Sequence, residues 1–356
     1  MKQIIKSEIN VSEADDCLVD VFGNMSLDSS PNTALFLNQK FEVCEELYNS
    51  PNSNVYLVSI PSGISLSEKI PDCYKGNLGA VKVVNGSTFC YLLDKEYQIL
   101  KSLDHPNIVK PLDYKSSDAK DSLSASYMCV PFYKNGELYE LVKTREGLGE
   151  IDSMKIFCQI ISAIEYLHEQ NIVHRDIKLE NILLDDFMAA QLIDFGFSYK
   201  LDTDLERDSG KIISECIENQ LCGTLSYMAP ELIESMGKND IELSFTDNSD
   251  YYVNKIEKLK ATDIYALGVA LFTMVVGVPP FGSATKNDPN FRNFLLSMKH
   301  STASRFWSRH PKAKILLEKG ELSSEFMSLI EDMLNPNIEK RIRINSILNH
   351  SWIQRG

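Results

Sequence analysis

Four polar residues in the stretch Asn171–Gly196 have types and spacing that could support chemistry. Asp176, Lys178 and Asn181 lie in the run HRDIKLEN, and Asp194 opens the run DFG 18 positions after Asp176. Carboxylate and amide oxygens are the groups that a hard divalent cation prefers as ligands. The four side chains can act together only if the fold brings them to one place.

The residues between the two aspartates predict how these groups are brought together. NILLDD and AAQLID each have the composition of a short strand, and Asp185–Met188 between them favours a turn. A hairpin of this kind would return the chain to its starting point. The sequence therefore predicts that Asp176 and Asp194 lie at one mouth.

These motifs resemble the signature of eukaryotic protein kinases, in which H-R-D-x-x-x-x-N precedes D-F-G. Lysine at 178 favours the serine/threonine branch, and the overall pattern is similar to kinases of the calcium/calmodulin-dependent type. The resemblance implies that Asp176 orients the attacking hydroxyl and accepts its proton, while Lys178 steadies the γ-phosphate. It also implies that ATP binds with Mg²⁺ held by Asn181 and Asp194.

The same resemblance assigns a lysine and a glutamate upstream. LGAVKVV matches the V-A-I-K strand motif, so Ala80 would roof the adenine and Lys82 would reach the α- and β-phosphates. A helix is predicted over Leu92–Leu103, because apolar residues recur there at helical spacing. Glu96 on this helix would pair with Lys82 and orient it.

Further nucleotide contacts are implied where SYMCVPFYKNGELYELV resembles the last strand of the small lobe and the hinge. Val130 would be the gatekeeper beside the back pocket. Pro131 lacks an N–H but need offer only its carbonyl, and Tyr133 would supply both a donor and an acceptor. Glu137 would lie near the ribose and the basic side of a peptide substrate.

The phosphate loop departs most from the family pattern G-x-G-x-x-G-x-V. Aligned on Val55, its three glycine positions are Tyr48, Ser50 and Ser53, and Pro51 lies at the tip. Glycine lets backbone amides approach phosphate closely, and proline has no amide to donate. We therefore expect a high KM for ATP, or slow transfer, rather than no activity.

The activation segment runs from Asp194 to Glu231 and contains CGTLSYMAPE, in which Thr224 would line the acceptor site. The position of the usual regulatory threonine is Gln220, so the resemblance does not imply dependence on its phosphorylation. Glu218, or a phosphate on Ser214, could supply an anion for Arg175 instead.

Other positions match structural and recognition elements of the family. Asp263 would brace the catalytic loop, and Arg341 would pair with Glu231. Glu180, with Glu137, would select arginine or lysine before the acceptor. Two segments look like insertions, Pro61–Gly79 as a hairpin loop and Ser235–Lys260 as a polar loop.

Composition restricts the partners and the compartment. Fifty acidic and 36 basic residues give a formal net charge of −14, which disfavours nucleic acid or an anionic membrane and permits a basic peptide. The eight cysteines form no CxxC pair, as expected in a reducing compartment. The N-terminus lacks the apolar region of a signal peptide, so a cytoplasmic or nuclear location is expected.

The predicted fold is α+β and two-lobed, with a small antiparallel sheet carrying one main helix and a larger, mostly helical lobe. We expect an extension over residues 1–38, the small lobe over 39–132 and the large lobe over 133–356. The oligomeric state is not indicated.

Two other functions compete with that of a protein kinase. The glycine-free loop leaves open a pseudokinase that acts as a nucleotide-binding scaffold, although Lys82, Asp176, Asn181 and Asp194 favour the enzyme. A metabolic small-molecule kinase of similar fold is disfavoured by CGTLSYMAPE.

Overall fold

A computed structural model describes Leu37 and residues 40–51, 53–68, 76–116, 125–200, 225–235, 249–300 and 304–355. The chain packs as two compact units. The first extends to Asp104 and resumes over Ile108–Lys134, and the second contains His105–Asn107 and the chain from Asn135 onward. Apart from Leu37, the predicted extension over residues 1–38 lies outside the described residues.

A five-stranded antiparallel sheet forms the first unit, in the order β1-β2-β3-β5-β4. Its strands are β1 Glu42–Asn49, β2 Ser53–Ser59, β3 Leu78–Val84, β4 Asp113–Lys115 and β5 Ser126–Pro131. One face is closed by an apolar cluster that includes Phe41 and Leu112. Because side chains alternate along a strand, the other face is left for Val55, Ala80 and Lys82.

The helix of the first unit, α1, spans Ser87–Ser102 and so begins five residues before the predicted start. Gly86 precedes it with φ 88°, which favours glycine, and Cys90 adds a buried residue to the first turn. The helix ends where Leu103 becomes extended. The predicted apolar positions Leu93, Tyr97, Leu100 and Leu103 are all buried.

The second unit is mainly helical. Its helices are α2 Leu138–Arg145, α3 Gly149–Glu169, α4 Pro230–Ser235, α5 Ser249–Val276, α6 Pro289–His300, α7 Ser304–Arg309, α8 Pro311–Glu318, α9 Ser324–Met333 and α10 Ile344–Leu348. Helices α3, α8 and α9 pack against α5. With the sheet of the first unit, this confirms the predicted α+β kinase-like fold class.

The loop predicted over residues 235–260 is wrong for its last part, because α5 is already helical from Ser249. Ile256 is buried against Val173 and Tyr199, and Leu259 packs on the same cluster. This pair three positions apart gives the polar segment one apolar face, and that face favours a helix.

Helix α5 contains the one stretch of the described chain that is long and apolar enough to cross a membrane, Ile256–Val276. Of its most apolar window, 78% is buried inside the protein. The hydropathy of this stretch is therefore accounted for by its place in the core.

Two short strand pairings and a 3₁₀ turn lie around the region of the aspartates. Strand β6, Ile172–Val173, pairs with β9, Tyr199–Lys200, and a 3₁₀ turn covers Leu179–Asn181. Strand β7, Ile182–Leu184, pairs with β8, Ala190–Leu192, which confirms the predicted hairpin.

Candidate active site

Lys82 and Glu96 form an ion pair in the first unit. Lys82 Nζ lies 2.8 Å from Glu96 Oε2, and the Glu96 side chain is only 4% exposed. The lysine is on β3 and the glutamate on α1, so the pair fixes the helix to the sheet. The structure brings together the two residues that sequence reasoning had matched across 14 positions.

Three further predicted nucleotide contacts of this unit, Val55, Ala80 and Val130, share the sheet face of Lys82. Val55 is the register partner of Lys82, and Ala80 is the register partner of Val130. The same face includes Leu57 opposite Ala80, which sequence reasoning missed. Strict alternation along β2 could have found it.

Met128 is a second residue of this face that was missed. It is the β5 partner of Lys82 and is buried. Met128 lies two positions before Val130, so alternation in β5 would also have placed it there.

At the end of β5, some backbone groups are already hydrogen-bonded within the sheet. Pro131 pairs with Gly79 in the β3–β5 ladder, and the amide of Phe132 donates to the carbonyl of Leu78 at 3.1 Å. Tyr133 is the next residue of the unit and is half-buried. The first backbone amide after the proline is therefore used within the protein.

Asp176 is the centre of a polar cluster in the second unit. Its Oδ2 accepts hydrogen bonds from Asn181 Nδ2 and from Lys178 Nζ, each at 2.8 Å. Asn181 Nδ2 also donates to the Asp176 carbonyl at 2.8 Å. Asp176 and Asn181 are both buried, so these contacts hold the carboxylate in one orientation.

Asp194 is placed beside this cluster by the β7–β8 hairpin. The amide of Ile193 donates to the carbonyl of Asn181 at 2.9 Å, which brings the chain back to the point where it left. Burial opposes the charge on Lys178, but Asp176, Asp194 and Glu180 outweigh it and raise the pKa of Lys178. The lysine is therefore charged and close to both aspartates.

The donor set of the Asp176 cluster fits a magnesium ion. Asn181 Nδ2 is already bonded twice to Asp176, so the side-chain oxygen is the atom that remains for a cation. Within the described ranges, no three His, Cys, Asp or Glu side chains cluster as a metal site. Asn181 and Asp194 suit Mg²⁺, which commonly takes one or two carboxylates and completes its shell with phosphates and water.

Asp263 of α5 holds the start of the HRDIKLEN loop. Its carboxylate accepts from the amides of His174 and Arg175 at 2.9 and 2.8 Å, and lies 2.9 Å from His168 Nε2. Burial favours the neutral carboxyl, yet the hydrogen bond and charge of His168 hold the pKa of Asp263 below its usual value. This is the bracing position that the resemblance implied.

His174 has a packing role in the structure. Its ring lies edge-on to Phe195, with the centroids 4.9 Å apart, and its Nε2 is 3.1 Å from the carbonyl of Ile193. The histidine thus ties the HRD run to the DFG run. Both ring contacts are within the protein, so the placement of His174 is structural.

Two glutamates, Glu137 and Glu180, form an acidic pair near the polar cluster around Asp176. Burial raises the pKa of Glu137, and the charge of Glu180 raises it further. Burial also raises the pKa of Glu180, whose Oε2 is buried and has no hydrogen-bond partner among the described residues. A cationic group placed here would satisfy the buried oxygen and neutralise the pair.

The glycine-free turn between β1 and β2 closes on itself. The amide of Ser50 donates to the Ser53 carbonyl at 2.9 Å, and the amide of Ser53 donates to Ser50 Oγ at 3.2 Å. Ser50 Oγ also donates to the Ser53 carbonyl. Two amides that could meet a phosphate are therefore occupied within the turn, and Pro51 between them has none.

Some predicted positions lie outside the described residues. These are Thr224 at the acceptor site and the three positions considered for regulation, Ser214, Glu218 and Gln220. Residues 69–75 of the predicted 61–79 insertion are also outside. Its described parts contain turns, bends and the start of β3, as expected for a connection between the antiparallel strands β2 and β3.

Comparison with known proteins adds to this geometry. The model of the protein kinase domain family matches residues 70–353. Testis-specific serine/threonine-protein kinase 1 of Mus musculus is 32% identical over 308 residues, covering 84% of this chain and 72% of that protein. Serine/threonine-protein kinase SIK2 of Gallus gallus is 35% identical over 262 residues, covering 73% of this chain and 26% of that protein.

A more distant relative is calcium-dependent protein kinase 5 of Plasmodium berghei (strain Anka), 28% identical over 286 residues, or 78% of this chain and 41% of that protein. The family match begins at residue 70, after β1, β2 and the glycine-free turn. The part of the sequence that departs most from the family pattern is therefore also the part outside the match.

Proposed function

Since this chain belongs to the protein kinase family, and to its serine/threonine branch, we propose that it transfers the γ-phosphoryl group of ATP to a serine or threonine hydroxyl of a protein. The observation that carries the proposal is the polar cluster around Asp176. Among the residues that the structure describes, the two side chains that bond this carboxylate, Asn181 and Lys178, both do so at Oδ2. Its Oδ1 is then the oxygen oriented to accept a proton from the substrate.

In the proposed reaction, Asp176 orients the hydroxyl and takes its proton as the new O–P bond forms and the bond to the ADP oxygen breaks. Lys178, whose charge is maintained by the surrounding carboxylates, steadies the γ-phosphate. Asn181 and Asp194 would hold Mg²⁺, which neutralises charge on the phosphates when bound.

In the first unit, Lys82 would contact the α- and β-phosphates. Its pairing with the buried Glu96 keeps the long side chain in one orientation. The apolar side chains of Val55, Ala80 and Val130 on the same sheet face would contact the adenine.

The acidic pair supports a basic substrate. An arginine before the acceptor would satisfy the buried oxygen of Glu180 and relieve its repulsion with Glu137. Hydrogen bonds between ionised partners are the stronger kind. We therefore propose that accepted proteins carry arginine or lysine N-terminal to the phosphorylated residue.

One observation favours a second candidate, a nucleotide-binding scaffold with little transfer. The amides of Ser50 and Ser53 are engaged within the turn, so the loop offers the phosphates less than the family pattern does. The intact arrangement of Asp176, Lys178 and Asn181 is the reason to place the enzyme first.

Transfer of labelled phosphate from Mg²⁺–ATP to a degenerate peptide library tests the proposal. Wild-type protein should label serine and threonine peptides, and Asp194→Asn should label them far less. Asp152→Asn, an exposed carboxylate on α3, is the matched control and should behave as wild type. Wild-type protein that binds ATP but labels no peptide would instead indicate the scaffold.

A further inference from the structure

Three residues outside the Asp176 cluster link the helix that carries Glu96 to the sheet; two of them contact the helix, and the third joins the segments that carry those two. They are Ser67, Glu68 and Tyr114, called the brace below. The Ser67 amide donates to Asp113 Oδ1 at 2.8 Å, and Ser67 Oγ accepts from the amide of Tyr114 at 3.0 Å. The Glu68 amide donates to the carbonyl of Leu112 at 3.3 Å. The segment before β3 is thus fastened along β4, at the edge of the sheet.

The base of the brace is fixed by a buried carboxylate. Asp113 is fully buried and, besides Ser67, accepts from Tyr127 Oη and from Lys40 Nζ, each at 2.7 Å. Tyr127 is on β5, inside the sheet. The brace is therefore anchored to the rigid part of the first unit.

From this base the brace reaches α1. The carboxylate of Glu68 accepts a hydrogen bond from Tyr97 Oη and lies 3.1 Å from Lys101 Nζ. The ring of Tyr114 stacks on the ring of Tyr97 with centroids 3.9 Å apart and planes 11° apart. Tyr114 Oη also donates to Asp94 Oδ1 at 3.0 Å.

The contacted residues form one stripe along α1. Asp94, Tyr97 and Lys101 are separated by three and four positions, so they lie one above another on the helix surface. Glu96 immediately precedes Tyr97 and points elsewhere, to Lys82. A helix held along this stripe cannot rotate or slide without breaking the stack, and the Glu96 carboxylate would move with it.

We propose that Ser67, Glu68 and Tyr114 are positioning residues that hold α1 so that Glu96 stays paired with Lys82. This inference rests on the proposed function, in which Lys82 contacts the phosphates of ATP. In protein kinases the placement of this helix decides whether the lysine–glutamate pair is made. Here the helix is held by contacts with the brace, which belongs to the same unit of the protein. Correct placement of Lys82 would then require no modification elsewhere.

The test uses the double variant Glu68→Ala/Tyr114→Phe in the full chain. It removes the Glu68 contacts with Tyr97 and Lys101 and the Asp94 hydrogen bond, while the stacked rings and the core remain. We expect kcat/KM for ATP to fall by about 5- to 30-fold, the change that loss of one or two such contacts produces. Asp152→Ala, which removes an exposed carboxylate paired with Lys155, should leave it unchanged.

A Glu96→Gln background separates positioning from general damage. If the brace acts through Glu96, the double variant should lower kcat/KM less than about two-fold in that background, because the shared pathway is already broken. An equal loss in both backgrounds, or no loss in a folded double variant, would overturn the proposal. If wild type binds ATP but transfers nothing, the proposed function fails, and the same comparison of ATP affinities still decides the brace.

Discussion

Arg341 and Glu231 meet in two parallel hydrogen bonds although they are 110 positions apart. Nη1 donates to Oε1 at 2.7 Å and Nη2 to Oε2 at 2.9 Å. The guanidinium is fully buried, lies over the ring of Tyr265 and also donates to the carbonyls of Ala261 and Asn335. The pair therefore ties α4 to α5 and to the turn after α9, and it is not an ordinary surface ion pair.

Glu231→Ala should destabilise the second unit, because it leaves the buried charge of Arg341 without its partner. Removing one member of a buried ion pair lowers the free energy of unfolding by about 3–5 kcal/mol. Because the Glu231 side chain is 28% exposed, we expect a loss of about 3 kcal/mol here. Urea unfolding should show a lower midpoint at unchanged slope. Glu318→Ala, which breaks an exposed pair with Lys314, should shift the free energy of unfolding by less than about 1 kcal/mol.

Asp176→Asn should remove phosphoryl transfer while preserving nucleotide binding. The amide keeps the size of the side chain but cannot take the substrate proton, and general base catalysis commonly contributes about 100- to 10,000-fold. The rate of peptide phosphorylation should therefore decrease by a factor in that range. The Kd for ATP should remain within a few-fold of wild type. Transfer that persists near the wild-type rate would rule out the role given to Asp176.

Much of the site could be predicted from the sequence, because its residues lie in local patterns. The spacing of HRDIKLEN, the hairpin before DFG and the helical period around Glu96 each depend on neighbours in the chain. The start of α5 was missed, because Ile256 and Leu259 find their partners Val173 and Tyr199 far away in sequence.

Other features depend on side-chain geometry that no spacing encodes. The amide of Ser53 is occupied because the hydroxyl of Ser50 is directed at it across the β1–β2 turn. Likewise, the stack of Tyr97 on Tyr114 joins α1 directly to the edge strand β4, and Glu68 of the inserted segment also contacts Tyr97. Sequence patterns indicated that these segments depart from the family, but not what they contact.

The preference for arginine before the acceptor should weaken at mildly acidic pH. Burial raises the pKa of both Glu137 and Glu180, so each binds a proton at a higher pH than an ordinary glutamate, whose pKa is about 4.3. Only the ionised carboxylates pair with arginine. The preference should therefore be full at neutral pH and be lost on acidification before ordinary glutamates titrate.

The measurement for this prediction is the ratio of kcat/KM for two peptides, one with arginine and one with norleucine at the same position. Taking a ratio cancels effects common to both peptides. We expect a ratio of about 10–100 at neutral pH, as charge-assisted hydrogen bonds of about 1.5–3 kcal/mol would give. Glu137→Gln/Glu180→Gln should show a ratio near one at every pH. A wild-type ratio that stays constant through mild acidification would contradict the assignment.

Restoring glycine to the phosphate loop should raise kcat/KM for ATP. The graft combines Tyr48→Gly, Ser50→Gly and Ser53→Gly with Pro51→Ser. Removing the Ser50 hydroxyl releases the amide of Ser53, and serine at 51 adds an amide that proline lacks. One recovered hydrogen bond to a charged phosphate is worth about 1.5–3 kcal/mol, so the increase should be about 10- to 100-fold.

Two further variants isolate the cause of any increase. Ser50→Gly alone should recover part of the gain, since it opens the internal bond to Ser53 without changing the loop's tip. Glu45→Gly, at an exposed position of β1, adds a glycine outside the loop and should give no gain. If the four-residue graft folds as wild type and its kcat/KM for ATP is unchanged, the occupied amides of this turn do not limit the enzyme.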